Sequence, residues 1–370
     1  MIKYLMAVFI VVFNLGAFIG NAAAQGNDIW QKIGVKIAEE AGAEMQSDYA
    51  NMVVLTNASY LKGKCCSPVR ILDGLAAVTH TSLGQQNLLE VHSAATAPLW
   101  VAVYDQKTGK VMYCTVNQHK VKQLSDKLKN NSTDFKLADV LEKCTVERID
   151  YKYLSVNPAD FDKKMKAKVF DGNEFRILSI INAVDAKAPP ELLKSALYHD
   201  HFCPGVTSGY LIAQYLQKEF PLTSGKESYT ILSLPAWCKE DALQTILNTT
   251  PGKSGLLVLT LQKELLVKHL PKKAENLAGI YFKYDSQKKT GQGMVLLCDM
   301  SKLRDFTPAV DSQYGWLEKL ATVRGTLDNL AMAEKSVQCL KKWSLKSGET
   351  PADYTALGNN ILKHLDLWSD

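Results

Sequence analysis

The spacing of apolar residues predicts helices alternating with strands along most of the chain, which is typical of an α+β fold with helices on a mostly antiparallel or mixed sheet. The elements predicted in the first half are helix Ile29–Met45, strand Met52–Thr56, helix Ile71–Val78, strand Leu88–His92 and the hairpin strands Leu99–Asp105 and Lys110–Val116. Those predicted in the second half are helices Glu191–Leu197 and Val206–Phe220, strand Tyr229–Leu234, helix Lys239–Leu247 and strands Leu256–Leu261, Ile280–Tyr284 and Met294–Cys298. Beyond these, the pattern predicts a helix over Trp316–Leu340 and a last helix that begins at a capping box at Thr350 and reaches Leu367.

The two halves resemble each other. Residues 73–89 align with residues 241–257 at a constant offset of 168, with six identities in seventeen positions. Upstream, Gly34–Ala38 aligns with Gly209–Ala213. Because the order of predicted elements is also the same, we predict two copies of one α+β unit.

The N-terminus has the pattern of a signal peptide. Lys3 precedes the apolar run Leu5–Phe18, and the small residues at 22–24 predict cleavage before Gln25. The apolar run is too short for a stable membrane anchor. We therefore expect an exported, soluble protein, periplasmic in a Gram-negative source and secreted otherwise; an uncleaved anchor is the alternative.

The length and charge of the chain indicate its division into domains and limit its partners. A chain of 370 residues is long enough for two cores. The predicted divisions are a signal peptide (1–24), a degenerate repeat without the metal motif (25–185), a metal-binding repeat (186–310) and a helical C-terminal extension (311–370). The net charge of +5 is mild and the lysines are scattered, so we expect no nucleic-acid partner. A homo-oligomer is compatible with the sequence.

The candidate chemistry lies in the segment Tyr198–Gly205. His199, His201 and Cys203 fall within five residues, and Pro204 suits the first position of the following helix. In an extended segment, side chains two residues apart point to one face, so these three would converge on one metal ion. Imidazole and thiolate ligands suit zinc first, with nickel, iron and copper as alternatives. A capped helix entry with two surface histidines and a buried cysteine is the non-functional alternative.

Cys238 is the best candidate for a further ligand, because it also precedes a predicted helix. Asp241, one turn later, is interpreted as an acid at a helix start and not as a ligand. The alternative for Cys238 is a core residue or half of a disulfide, and spacing cannot settle how the eight cysteines pair. The first half lacks the block: Arg70 stands at the position that matches Cys238.

The second half resembles the FmdE-like family of formylmethanofuran dehydrogenase proteins over roughly residues 190–300. The resemblance rests on His199-x-His201-x-Cys203-Pro204-Gly205, on Cys238-x-x-Asp241 and on the turn at Gly252. It implies an α+β core with zinc or a similar ion bound by the block, with His199, His201, Cys203 and Cys238 at the metal-site positions. The C-terminal cysteine-rich zinc module of many family members is not present in this sequence.

Four functions remain open at this point, the last of them an interaction module in which the metal only stabilises the fold. The first is an exported metal-binding protein that carries or senses a transition metal ion or a small metallocofactor. The second is a metal-dependent enzyme (a hydrolase or an accessory component of an oxidoreductase), in which three ligands leave one coordination position open for water. The third is a thiol redox protein that uses Cys203 and Cys238.

Overall fold

The structure, a computed structural model, describes residues 29–63, 67–128, 135–259, 262–356 and 358–369. The predicted signal peptide (1–24) lies outside the described residues, as do Cys65 and Cys66. None of the described helices is long and apolar enough to span a bilayer.

In its described residues, the first unit contains a five-stranded sheet and six α-helices. Its strands are β1 (Met52–Thr56), β2 (Leu88–Glu90), β3 (Leu99–Asp105), β4 (Lys110–Val116) and β5 (Leu141–Arg148). Its helices are α1 (Ile29–Met45), α2 (Ile71–Thr79), α3 (Gln118–Leu128), α4 (Tyr151–Val156), α5 (Pro158–Lys166) and α6 (Glu174–Asp185).

The second unit contains another five-stranded sheet and is followed by short C-terminal helices. Its strands are β6 (Glu227–Ser233), β7 (Leu256–Val258), β8 (Leu277–Asp285), β9 (Thr290–Cys298) and β10 (Val337–Ser344). Its helices are α7 (Pro190–Tyr198), α8 (Pro204–Glu219), α9 (Lys239–Leu247), α10 (Lys263–His269), α11 (Met300–Arg304), α12 (Gly315–Asp328), α13 (Leu330–Ala333), α14 (Pro351–Thr355) and α15 (Ile361–His364).

The two sheets have the same topology. The strand order is β2-β1-β3-β4-β5 in the first sheet and β7-β6-β8-β9-β10 in the second. In each, the first two strands of the order pair in parallel and every other neighbouring pair is antiparallel. The α+β prediction with mixed sheets is therefore confirmed, and the architecture is consistent with two copies of one unit.

Each sheet is buried on both faces, because successive side chains along a strand point to opposite sides. In β3, Val101 packs with the cluster that contains α1 and α2, whereas Tyr104 packs with the cluster that contains α6. In β8, Tyr281 packs against the α8 side and Phe282 packs against the C-terminal helices. Helices α8 and α9 therefore cover one face of the second sheet.

The α8–α9 pair packs backbone to backbone. A Cβ atom at Gly209 of α8 would lie closer than 3.0 Å to the carbonyl oxygen of Lys239 in α9. The first unit has the same contact: a Cβ atom at Gly34 of α1 would be equally close to the carbonyl oxygen of Ile71 in α2. Positions 71 and 239 are related by the offset of 168 found in the sequence, so the same helix contact exists in both units.

The sequence prediction fails in three regions. The helix predicted over Trp316–Leu340 is wrong, because the chain forms α12 and α13 and then turns into strand β10, which pairs with β9. Residues 135–185 hold β5 and α4–α6, none of which the apolar spacing predicts. Strand β5 lies at the edge of the sheet, so its side chains are exposed or half-exposed. It therefore lacks the apolar run by which a buried strand is recognised in a sequence. The capping box at Thr350 and Asp353 is confirmed, but the single last helix that reaches Leu367 is wrong, because α14 ends at Thr355 and the separate helix α15 spans only Ile361–His364.

We predict that Gly209→Ala destabilises the protein by about 2–3 kcal/mol, because the added methyl group meets a backbone carbonyl that cannot move aside without separating the helices. Chemical denaturation measures the effect. The matched control is Gly315→Ala, also at a helical position, where a Cβ atom meets nothing within 4 Å. Equal stability of the two variants would contradict the close packing.

Candidate metal centre

The ligand block forms the turn between α7 and α8. Helix α7 ends at Tyr198; its C-cap, His199, keeps right-handed helical dihedrals, and Asp200 follows with a φ of 71°. Asp is one of the few residues that tolerate this left-handed conformation. Cys203 is then the N-cap of α8 with Pro204 as the first helical residue, as predicted. The extended conformation expected for residues 199–203 is wrong: a tight turn, not a strand, brings the side chains together.

The three predicted ligands converge. One ligand atom each of His199, His201 and Cys203 lies within 4.8 Å of the others. In a tetrahedral zinc site with bonds of about 2.0–2.3 Å, ligand atoms are separated by roughly 3.3–3.8 Å. Small side-chain rotations would therefore suffice to bind one ion. Among the described residues this is the only group of three or more histidine, cysteine and acidic side chains with that geometry.

Both imidazoles are oriented by carboxylates. Asp241 Oδ2 lies 2.6 Å from His199 Nδ1, and Asp200 Oδ1 lies 2.9 Å from His201 Nδ1. Asp200 is itself held by Arg176, whose Nη2 lies 2.7 Å from the other carboxylate oxygen. Since a carboxylate accepts a hydrogen bond from Nδ1–H, each ring has Nε2 left for a metal.

His199 Nε2 carries the strongest sign that a group is expected here. This nitrogen is buried and makes no well-directed hydrogen bond within the described part of the chain, although the Cys238 thiol is close enough to the ring to raise the pKa of His199. A buried polar atom without a partner is uncommon in a folded protein and calls for an explanation such as an ion. The residues therefore fit a transition metal bound through His199 Nε2.

Cys238 lies beside this triad but outside its tightest grouping. It is the N-cap of α9, as the sequence predicted. A Cβ atom at Gly205 would lie 3.2 Å from Cys238 Sγ and 3.7 Å from Cys203 Sγ, so the absence of a side chain at Gly205 lets the two thiols approach. Its assignment as the fourth ligand stays a prediction.

The electrostatics favour a thiolate at the centre. The neighbouring Cys203 thiol and then the His199 imidazole lower the pKa of Cys238 to about 4. The hydrogen bond with Asp241, followed by the influence of Cys238, raises the pKa of His199 to about 9. Cys238 and burial both raise the pKa of Cys203. Metal binding must therefore displace protons from His199 and Cys203.

A buried ion pair fixes the turn that presents Cys238. Lys239 is fully buried and pairs with Glu240. Glu240 Oε2 also accepts from the backbone N–H of Trp237 at 2.8 Å, and Lys239 Nζ donates to the carbonyl oxygen of Pro235 at 2.8 Å. Both charges thus bond to the backbone on the N-terminal side of Cys238, so loss of either one would leave the other buried and unpaired.

The first unit has apolar packing where the second has the ligands. The register set by Gly34 and Gly209 places Trp30 at the position of Gly205, and Trp30 is fully buried. Arg70, the counterpart of Cys238, is the N-cap of α2. An indole thus stands where the second unit needs empty space between two thiols. Among the described residues, this ligand set therefore occurs in the second unit alone.

Comparison with protein families agrees with this location. A family model described as FmdE, molybdenum formylmethanofuran dehydrogenase operon, matches residues 198–340. This match supports an FmdE-like second unit. The match begins at the ligand block. It extends beyond residue 310, the predicted end of the metal-binding repeat, and ends within β10. No curated protein matches the chain.

Sequence reasoning missed the residues that support the ligands. Asp241 was interpreted as a helix-start acid, but it bonds to His199, and its spacing of three residues from Cys238 was the available signal. Asp200 lies within the block itself and was not assigned a role. Arg176 belongs to α6, which the pattern did not predict, so no local signal could link it to the site.

We predict that Asp241→Ala weakens metal binding by about 10- to 100-fold, because the His199 ring loses its orienting partner. Competition with a chelating dye measures the dissociation constant. Asp73→Ala is the matched control, since Asp73 holds the equivalent position in the first unit. Unchanged affinity in Asp241→Ala would show that the carboxylate does not position the ligand.

Proposed function

We propose that this protein is an exported transition-metal-binding protein whose FmdE-like domain carries or senses a metal ion or a small metallocofactor. The observation that carries the proposal is the convergence of His199, His201 and Cys203 around a buried imidazole nitrogen that makes no well-directed hydrogen bond to the described residues. The family match at the same residues supports a metal-related protein.

Zinc is the first choice of metal in this proposal. Two imidazoles and two thiolates form a common tetrahedral zinc set if Cys238 joins the triad. The same donors accept nickel, iron or copper, so the set alone does not select among these ions. Two thiolates would also neutralise a divalent ion, which suits a half-buried site.

The geometry favours binding over hydrolysis. The two carboxylates of the site, on Asp200 and Asp241, already bond to the histidine rings, so neither is free to accept a proton from a metal-bound water. The His201 side chain is 29% exposed, which gives an ion access from solvent. An enzyme stays the alternative if Cys238 does not bind and the triad keeps an open position.

The neighbouring thiols support a second candidate function. Cys203 and Cys238 lie side by side, and the lowered pKa of Cys238 is typical of a reactive thiolate. Oxidation of the pair by a partner disulfide would make the protein a thiol redox protein. A metal bound by both thiolates would prevent that reaction, so the two functions are distinguishable.

We predict that the purified wild-type protein binds a single transition metal ion per chain, and that His201→Ala and Cys203→Ser each lose most of it, since each removes one of three clustered ligands. Elemental analysis after dialysis measures the stoichiometry. His119→Ala and Cys339→Ser are the controls, because both positions are exposed and lie on other elements.

Absence of metal from the wild type, or full metal content in both ligand variants, would refute the metal-binding function. A Cys203–Cys238 disulfide in the metal-free wild type, found by peptide mapping without reducing agent, would favour the redox function. Rapid hydrolysis of a model ester only in the metal-loaded protein would favour the enzyme.

We predict that the mature protein begins at Gln25, because the charge, apolar run and small residues before it have the order of a signal peptide. Mass spectrometry of the protein from the extracytoplasmic fraction measures the N-terminus. Replacing Leu5 and Phe9 by aspartate should retain the chain in the cytoplasm. A cytoplasmic wild-type chain that begins at Met1 would refute export.

A further inference from the structure

Two cysteines of the first unit face each other across the sheet. Cys114 of β4 and Cys144 of β5 are direct partners in the antiparallel register. Their Sγ atoms lie 2.7 Å apart, well inside the van der Waals separation of two sulfur atoms. Neither residue takes part in the metal centre, which belongs to the second unit.

The backbone already has the geometry of a disulfide. Directly opposed residues in an antiparallel pair have Cα atoms about 4.5–5.5 Å apart, and disulfides occur at Cα separations of about 4.4–6.8 Å. The side chains point to the same face, since both sulfur atoms meet. We propose that Cys114 and Cys144 form a cross-strand disulfide that attaches edge strand β5 to the sheet.

The position gives the bond a structural role. Strand β5 is at the edge of the first sheet and pairs there with β4. Its side chains alternate between exposed and half-exposed, so apolar burial holds it weakly. A bond between residues 30 positions apart restricts the unfolded chain and so stabilises the strand.

The chemistry requires an oxidant, and an exported protein meets one in the form of a disulfide-bonded exchange partner. Cys144 is exposed and Cys114 is buried, so the Cys144 thiolate attacks the partner disulfide first and releases one thiolate. Cys114, after losing its proton, then attacks Cys144 Sγ in the mixed disulfide and releases the second thiolate. One S–S bond forms, the partner's S–S bond breaks, and two electrons pass to the partner.

The second unit offers a matched control. By the register of the hairpin, Met294 of β9 is the counterpart of Cys114 and faces Lys342, whereas Cys298, four residues later, faces Val337. Cys339, which lies in β10 with Val337, faces Leu296 of β9. The wild-type second sheet therefore cannot form the equivalent bond, whereas Val337→Cys would place a second cysteine opposite Cys298.

The test uses the full-length protein incubated with oxidised glutathione, blocked with N-ethylmaleimide at mildly acidic pH, and digested with trypsin without reducing agent. We expect peptides 111–120 and 144–148 to appear linked, lighter than their sum by two hydrogen atoms. Both cysteines blocked by maleimide, or either one linked to another cysteine, would overturn the proposal. Val337→Cys should add a linked Cys298 pair and so verifies that the method detects cross-strand bonds.

A stability measurement separates a structural bond from incidental oxidation. Reduction should raise the unfolding equilibrium constant of the wild type by roughly 100-fold and leave the Cys114→Ala/Cys144→Ala variant unchanged. Equal sensitivity of the two proteins to reduction would contradict a stabilising role. Because metal content is measured at other residues, failure here leaves the proposed metal function untouched.

Discussion

The close packing of α8 on α9 is the constraint on which the candidate metal centre depends. Gly209 lets the two helix backbones touch at Lys239, and the N-termini of the helices meet as a result. Each helix has a cysteine as its N-cap, Cys203 on α8 and Cys238 on α9. The positive ends of both helix dipoles therefore act on the same pair of sulfur atoms, which favours thiolate and hence metal binding.

The second unit uses buried charge to keep this arrangement. Lys239 and Glu240 are both buried, whereas the first unit has apolar Ile71 in place of the lysine. A well-packed apolar residue is usually at least as stabilising as a buried ion pair. We therefore interpret the ion pair as a support for the backbone before Cys238. Glu240 accepts from the backbone N–H of Trp237, and Lys239 donates to the carbonyl oxygen of Pro235.

Most of the fold was readable from the sequence, because the sheet strands and the paired helices have clear apolar spacing. Helices α1 and α9 were predicted with their observed bounds. Strand β10 was missed because most of its side chains are exposed or half-exposed. It therefore has no apolar run that distinguishes it from the helical region before it. The ligands were also readable, since three of them are neighbours in the chain. Their orientation was not, because Asp241 and Arg176 reach the site through helix packing that no local pattern encodes.

The proposed ligands come from two separate parts of the chain, three from one turn and the fourth from the start of another helix about 35 positions later. An ion held by all four would act as a staple between α8 and α9, so its binding energy would add to the energy that holds these helices together. Conversely, opening of the α9 turn would leave the ion on the local triad alone, with a weaker hold and more water around it. Release of the ion and loosening of this helix pair would then be the same event.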